Sequence, residues 1–283
     1  MAIITISRGS FSHGKEIAEK VAETLGYECV SRETLLEASQ FFHVSEKKLL
    51  KSLHDAPTFL EKVTHRRERY IAYIRAALLE HVKKDNVIYH GHAGHLFIPE
   101  IAHVLKVRIV ADMDERVALL QQRQKTSQDD AIAHIRDGDR HRADWTRFLY
   151  KVDIEDPRLY DIIINIRGIR IDDACKIICS AARCETYKTT LESKKAINDL
   201  ALQSHVSASL QTVCDAKVTS QDGYVHVKVT TEKITKTGYS SPQMRSHIQE
   251  TIRDDLTKEI VEIIRRISDV KDVVCDVELP YYS

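Results

Sequence analysis

Gly9-Ser10-Phe11-Ser12-His13-Gly14-Lys15-Glu16 follows at once on the apolar run Ile3-Ile4-Thr5-Ile6 and runs straight into Ile17-Ala18. The apolar run predicts a buried strand. The two glycines predict a tight turn, and Lys15-Glu16-Ile17-Ala18 opens a helix. At such a junction the first backbone N–H groups of the helix have no partner and the peptide dipoles add up, so the turn is a natural phosphate cradle. The spacing matches G-x-x-x-x-G-K-[ST] in all but its last position, and Lys15 is placed to reach β- and γ-phosphates. Glu16 stands where the motif supplies a hydroxyl to Mg²⁺. Ser10, Ser12, or water between Glu16 and the ion would then have to serve the metal, which keeps several waters in any case. Gly9, Ser10, Ser12, His13, Gly14, Lys15 and Glu16 form the candidate cradle, with the His13 side chain expected to point out of it. Against this stands a purely structural turn, because two glycines near a lysine also occur by chance.

The chain has 283 residues, enough for two ordinary domains. With 43% hydrophobic and 30% charged residues, it has the composition of a soluble globular protein. Its formal net charge is zero, which argues against a nucleic-acid binder. No signal peptide or membrane span is predicted, since the N-terminal apolar run is short and feeds the glycine turn. The expected location is the cytoplasm. The six cysteines include no C-x-x-C pair and are expected to be free thiols.

Strand-like runs at Ala2–Ile6, Tyr27–Val30, Val87–Tyr89, Val104–Val110 and Tyr160–Ile166 alternate with helical periodicity at Lys15–Leu25, Glu68–Lys83 and Glu115–Lys125. That alternation predicts an α/β domain, a parallel sheet with helices on both faces. The apolar character of Val107–Val110 and Ile162–Ile164 suits strands buried on both sides. A helix at Ile171–Ala182 closes this unit, so the first domain is placed at 1–185. A second, small α+β domain is placed at 190–283. It comprises a helix near Lys194–Gln211, a hairpin of Asp215–Val218 and Tyr224–Thr231 turning at Asp222-Gly223, a polar loop Lys233–Pro242, a long helix Gln243–Ile267 and a last strand Val273–Leu279.

Four stretches in order resemble the cytidylate kinase-like family: Ile6-Ser7-Arg8 with the P-loop and Leu25-Gly26-Tyr27, then Val87–Ala93, Asp139-Arg140-His141-Arg142-Ala143, and Tyr160–Asn165. The resemblance implies the fold of nucleoside monophosphate kinases, with ATP and Mg²⁺ as cofactors and a nucleotide as acceptor. Phosphoryl transfer consists mostly of aligning polyanions and neutralising their charge, work that guanidinium groups do well. By this similarity Lys15 and the lid arginines Arg123, Arg136, Arg140 and Arg142 are candidate catalytic residues. Arg8, Arg32, His92 and Asp139 are candidates for the acceptor side. Asp129, Asp130, Asp137, Asp139 and Asp144 interleave with these arginines, so a solvated helix with surface ion pairs is the competing reading. The family usually has Gly-Arg-Gly after its glycine-loop strand, whereas this chain has His90-Gly91-His92-Ala93-Gly94-His95. These histidines lack a carboxylate or thiolate neighbour, and no resident metal site is expected. Residues 190–283 resemble a BON domain in Asp222–Val227 and Ile264–Val274, which implies a regulatory ligand or a homo-oligomer contact there. The expected function is an ATP-dependent nucleotide kinase. The alternatives are a nucleotide-binding regulatory protein with little turnover and a kinase for an acceptor other than a monophosphate.

Overall fold

The computed structural model describes residues 2–31, 40–45, 47–49, 66–230 and 242–278. The chain divides into two compact units, Met1–Lys194 and Lys195–Ser283.

In the first unit β1 (Ile3–Arg8), β2 (Glu28–Val30), β3 (Val87–His90), β4 (Val104–Val110) and β5 (Ile162–Asn165) form one sheet in the order β2-β3-β1-β4-β5. Every pairing is parallel. The flanking helices are α1 (Gly14–Leu25), α2 (Arg66–Val82), the single turn α3 (Gly94–Phe97), α4 (Met113–Arg123), α5 (Gln128–Tyr150) and α6 (Ile171–Ala182). Ile4, Ile6, Val107, Ile109 and Ile164 point to one face and meet Ile17 and Val21 of α1 and Ile178 of α6. Each such aliphatic side chain contributes about 1.5–3 kcal/mol by leaving water, so this face anchors the strand ends that carry the glycine turn.

Two expectations about the strands need correction. Val107–Val110 is not uniformly apolar in its surroundings. Arg108 alternates to the face opposite Val107 and Ile109, in register with Ser7 of β1. β5 is the sheet edge, so Ile163 remains 43% exposed where burial on both sides was expected. The segment read from sequence as an arginine-bearing lid folds largely as α5, a helix of 23 residues. Ser127 caps it by accepting from the Asp130 N–H at 3.1 Å, and Ala131, Ile135 and Trp145 form its buried stripe.

The second unit has the predicted element order. α7 (Leu191–Leu210) leads from the first unit into it, followed by β6 (Ala216–Gln221), β7 (Tyr224–Thr230), α8 (Pro242–Arg265) and β8 (Asp272–Glu278). β6 and β7 pair antiparallel and β8 joins β7 parallel, a mixed sheet in the order β6-β7-β8. The hairpin turns at Asp222 (φ 51°) and Gly223 (φ 86°), and two successive positive φ values suit an Asp-Gly turn. Leu202, Val206, Val225, Val227, Ile260 and Ile264 form its core. Ile252 lies on the predicted apolar side of α8 yet is 38% exposed. The expected loop 233–241 lies outside the described residues.

All six cysteines are free. Burial pushes the Cys175 thiol up to about 11, which keeps it protonated and unreactive near neutral pH. No helix among the described residues is long and apolar enough to cross a membrane.

Candidate phosphate-binding site

β1 delivers the chain at its carboxyl end into the turn Gly9–His13, and α1 begins at Gly14. Phe11 (φ 57°) and His13 (φ 56°) adopt left-handed backbone, bending the turn back over the helix start. Ser12 Oγ donates to the Gly9 carbonyl at 3.0 Å and braces the loop across its mouth. Gly14 is required for a steric reason. A Cβ there would lie 2.5 Å from Cδ and 2.8 Å from Cβ of Arg8, whose side chain passes beneath the loop. Lys15 is exposed and its ammonium pairs with Glu19 one turn on at 3.5 Å, a surface interaction of little strength. Glu16 is met by His13 Nδ1 at 2.9 Å. The His13 side chain therefore turns to the helix.

Helix α5 closes on the loop from the other side. Asp139 is the hub: its carboxylate accepts from Arg116 Nη2 at 2.6 Å and from Arg142, and it faces the Ser10 N–H at 3.4 Å. Arg116 Nε also donates to the Ser10 carbonyl at 2.7 Å, and Arg142 donates to Ser10 Oγ at 2.8 Å. Gly138 permits this approach, because a Cβ there would sit 3.1 Å from Ser10 Oγ. A small apolar cluster of Val117, Leu120, Ala131 and Ile135 receives Phe11 and holds loop and helices together. Both serine hydroxyls thus make hydrogen bonds within the loop and its lid, and each keeps an oxygen lone pair.

Two cavities flank the loop. One, of about 230 Å³, lies beyond the carboxyl ends of β1 and β4 and is lined by Arg8, Arg108, Arg116, Asp139, Arg142 and Glu155. The other is a wider groove of about 740 Å³ on the α1 side, lined by His13, Glu16, Leu119, Gln122, Ile169 and Ile171 among others. Burial and then the nearby charges of Arg142 and Arg123 lower the pKa of Arg8. Burial likewise lowers that of Arg142, with Asp139 opposing the shift. Both remain cations at any working pH, because a guanidinium starts so high.

The residues singled out in the sequence distribute unevenly. Gly9, Ser10, Ser12, Gly14, Arg8, Arg142 and Asp139 come together around the turn. Arg123, on α4, is exposed but close enough to influence Arg8. Arg136 is exposed, and Arg140 is exposed and paired with Asp137. Arg32 lies outside the described residues. His92 packs edge-on against Trp145, with ring centres 4.3 Å apart, and His95 sits against Tyr160. Burial, reinforced by Lys106 and Arg108, pushes His95 down to about 3. The histidine turn is therefore built into packing, and among the described residues no group of three or more metal-ligating side chains could hold an ion. Neither Arg116 nor Arg108 is assigned a role by the sequence. An arginine inside a predicted parallel strand was the available signal for the latter, since such strands are ordinarily apolar.

A five-stranded parallel sheet of order β2-β3-β1-β4-β5, with a glycine turn joining its central strand to a helix, defines a P-loop α/β domain. The family model described as cytidylate kinase-like matches residues 3–167, and the chain belongs to that family. An uncharacterized protein from Eubacterium ventriosum is similar in structure, with TM-score 0.49 and 18% identity over 64% of this chain and 98% of its own. A shikimate kinase from Bacteroides thetaiotaomicron has TM-score 0.40 and 14% identity over 65% of this chain and 99% of its own. One from Acinetobacter baumannii in complex with shikimate has TM-score 0.36 and 13% identity over 64% and 92%. No curated protein matches the chain. The family match ends before the second unit and leaves the BON-like reading of residues 190–283 without support from a comparison.

Proposed function

We propose that the protein is an ATP-dependent kinase of the nucleotide-kinase type, moving the γ-phosphoryl group to a nucleotide acceptor. One observation carries this reading: a single P-loop stands between two cavities of different character. The α1-side groove offers Leu119, Ile169 and Ile171 beside the helix start, a surface for a base and ribose whose phosphates lie on the loop. Lys15 has only a weak surface partner and is free to swing onto the donor phosphates. Across the loop, Arg8, Arg116 and Arg142 would neutralise the charge that gathers between donor and acceptor, the main protein contribution in phosphoryl transfer. Mg²⁺, if bound with ATP, would supply positive charge against the phosphates. Ser10, Ser12 and, through water, Glu16 are the loop side chains that would hold it.

A regulatory protein that binds nucleotide with little turnover is the second reading. It is favoured by Glu16 in the hydroxyl position, engaged by His13, and by Asp139 directed at the Ser10 amide. The test is phosphate transfer from ATP to a panel of nucleoside monophosphates, run beside direct ATP binding. Turnover with any of them supports the kinase. ATP binding without transfer supports the regulator, and failure to bind ATP removes both.

A further inference from the structure

Arg108 stands in the middle strand region of a parallel sheet, with a side chain only 14% exposed. Burying a guanidinium is unfavourable unless the charge is compensated, so such a residue needs a reason. Its immediate partners hold it in place without neutralising it fully. Nη1 donates to the Ile154 carbonyl and to Tyr160 Oη at 3.2 Å, and the guanidinium lies 5.4 Å from the centre of the Tyr160 ring. The nearest carboxylate, Glu155, is 3.7 Å away and 79% exposed. Tyr160 is itself anchored: Oη donates to the Ile154 carbonyl at 2.9 Å and lies 3.4 Å from His95 Nε2.

The surroundings do not supply the missing charge. Arg116 and Arg142 share the one carboxylate of Asp139. Arg8 makes no ion pair among the described residues, and its buried Nε has no hydrogen-bond partner there. Four guanidinium groups thus line a small cavity against two carboxylates, one of them mostly in water. A structural salt-bridge network would balance its charges. This one has a surplus of two positive charges facing a partly open cavity, which suits an incoming dianion.

We infer that Arg108 is an acceptor-binding residue that grips a doubly charged oxyanion, phosphate or dicarboxylate, and that Tyr160 is the residue positioning it. The inference rests on the phosphotransferase reading for calling the ligand an acceptor, but the anion site stands on its own geometry. The acceptor enters the cavity with its anionic end toward β4, and the guanidinium fork of Arg108, fixed by Tyr160 and the Ile154 carbonyl, sets its orientation.

The experiment titrates the full chain with inorganic phosphate and, separately, with malonate, with the loop saturated by the non-hydrolysable β,γ-imido analogue of ATP. Arg108→Lys keeps the charge and loses the fork. It should weaken anion binding by about tenfold while analogue affinity changes less than about twofold. Tyr160→Phe keeps the ring and removes the anchor, and should weaken anion binding by about threefold to fivefold with an unchanged melting temperature outside a few degrees. Arg108-dependent binding of phosphate alone identifies a phosphoryl-bearing acceptor, and of malonate a carboxylate-bearing one. Either supports the site. Anion affinity unchanged in both folded variants, or no anion binding by the native chain, overturns it. If the analogue does not bind but Arg108-dependent anion binding persists in its absence, the phosphotransferase reading fails and the anion site remains. Should Arg108→Lys not fold, Tyr160→Phe decides.

Discussion

The two cavities beside the P-loop have no lining residue in common and differ in size and charge. The groove on the α1 side is wide, apolar in part, and mixed in charge, with Glu16 and Glu115 among its lining residues. The cavity beyond β1 and β4 is about a third of that volume and dominated by arginine. The loop between them is neutral backbone except for Lys15 and Glu16. What this contrast teaches is that a P-loop supplies only the phosphate contact. The identity of what lies on either side is decided by residues brought in from other elements: Leu119 from α4 and Ile169 from the β5–α6 connection on one side, Arg108 from β4 and Arg142 from α5 on the other.

The largest effect expected from breaking this contrast is on the wide side. Lys15→Ala should reduce ATP affinity by about a hundredfold, measured by calorimetric titration, since a charge-assisted phosphate contact in a cradle is lost. The melting temperature should stay within a few degrees, because Lys15 pairs only with Glu19 at the surface. Unchanged ATP affinity would mean that the wide groove is not a donor site.

The packing behind Arg108, where His95 meets Tyr160, should respond to pH. His95 beneath Tyr160 has its pKa held near 3, well below the ordinary histidine value, mainly by burial. The unfolded chain therefore takes up the proton first as pH falls, and the stability associated with neutral His95 is present at pH 7 and lost below about 6.5. From this group alone, denaturation curves should show about 2 kcal/mol less stability at pH 5 than at pH 7. His95→Gln should flatten part of that slope. His103, also lowered chiefly by burial, leaves a remainder. A slope identical in native and substituted proteins would show that His95 does not carry the pH dependence.

The smallest effect is expected from removing the second unit. A chain ending at Lys194 should keep ATP affinity within about twofold, because both cavities are lined entirely by residues of the first unit and each unit has a core of its own. A loss of affinity in a folded truncated chain would show that the second unit contributes to the contrast.

Much of this was legible in the residues alone. Ile3–Ile6 followed by the glycine turn and Lys15 is a local pattern in which strand, turn and helix start are set by neighbours in sequence, so the loop could be read without the fold. The same holds for the Asp222-Gly223 hairpin, whose backbone demand falls on two adjacent residues. The arginines were a different matter. Arg123, Arg136, Arg140 and Arg142 are equivalent in composition, yet only Arg142 turns inward to Asp139 and Ser10, because helix α5 presents one face to the loop and Arg136 and Arg140 fall off it. The surroundings of the histidine turn were not legible for a related reason: the neighbours that pack on His92 and His95, Trp145 and Tyr160, arrive from more than fifty residues away in the chain.

By itself, then, the sequence determined the periodic elements, their alternation, and the glycine turn, since each depends on contacts within a few residues. Only the tertiary structure decided which charges share a cavity. That outcome depends on strand register, which sets Arg108 opposite Ser7, and on the close approach of α5 at Gly138, which brings Asp139 and Arg142 to the loop. Register and helix docking are fixed by burial summed over the whole sheet, and no local stretch of residues carries that sum.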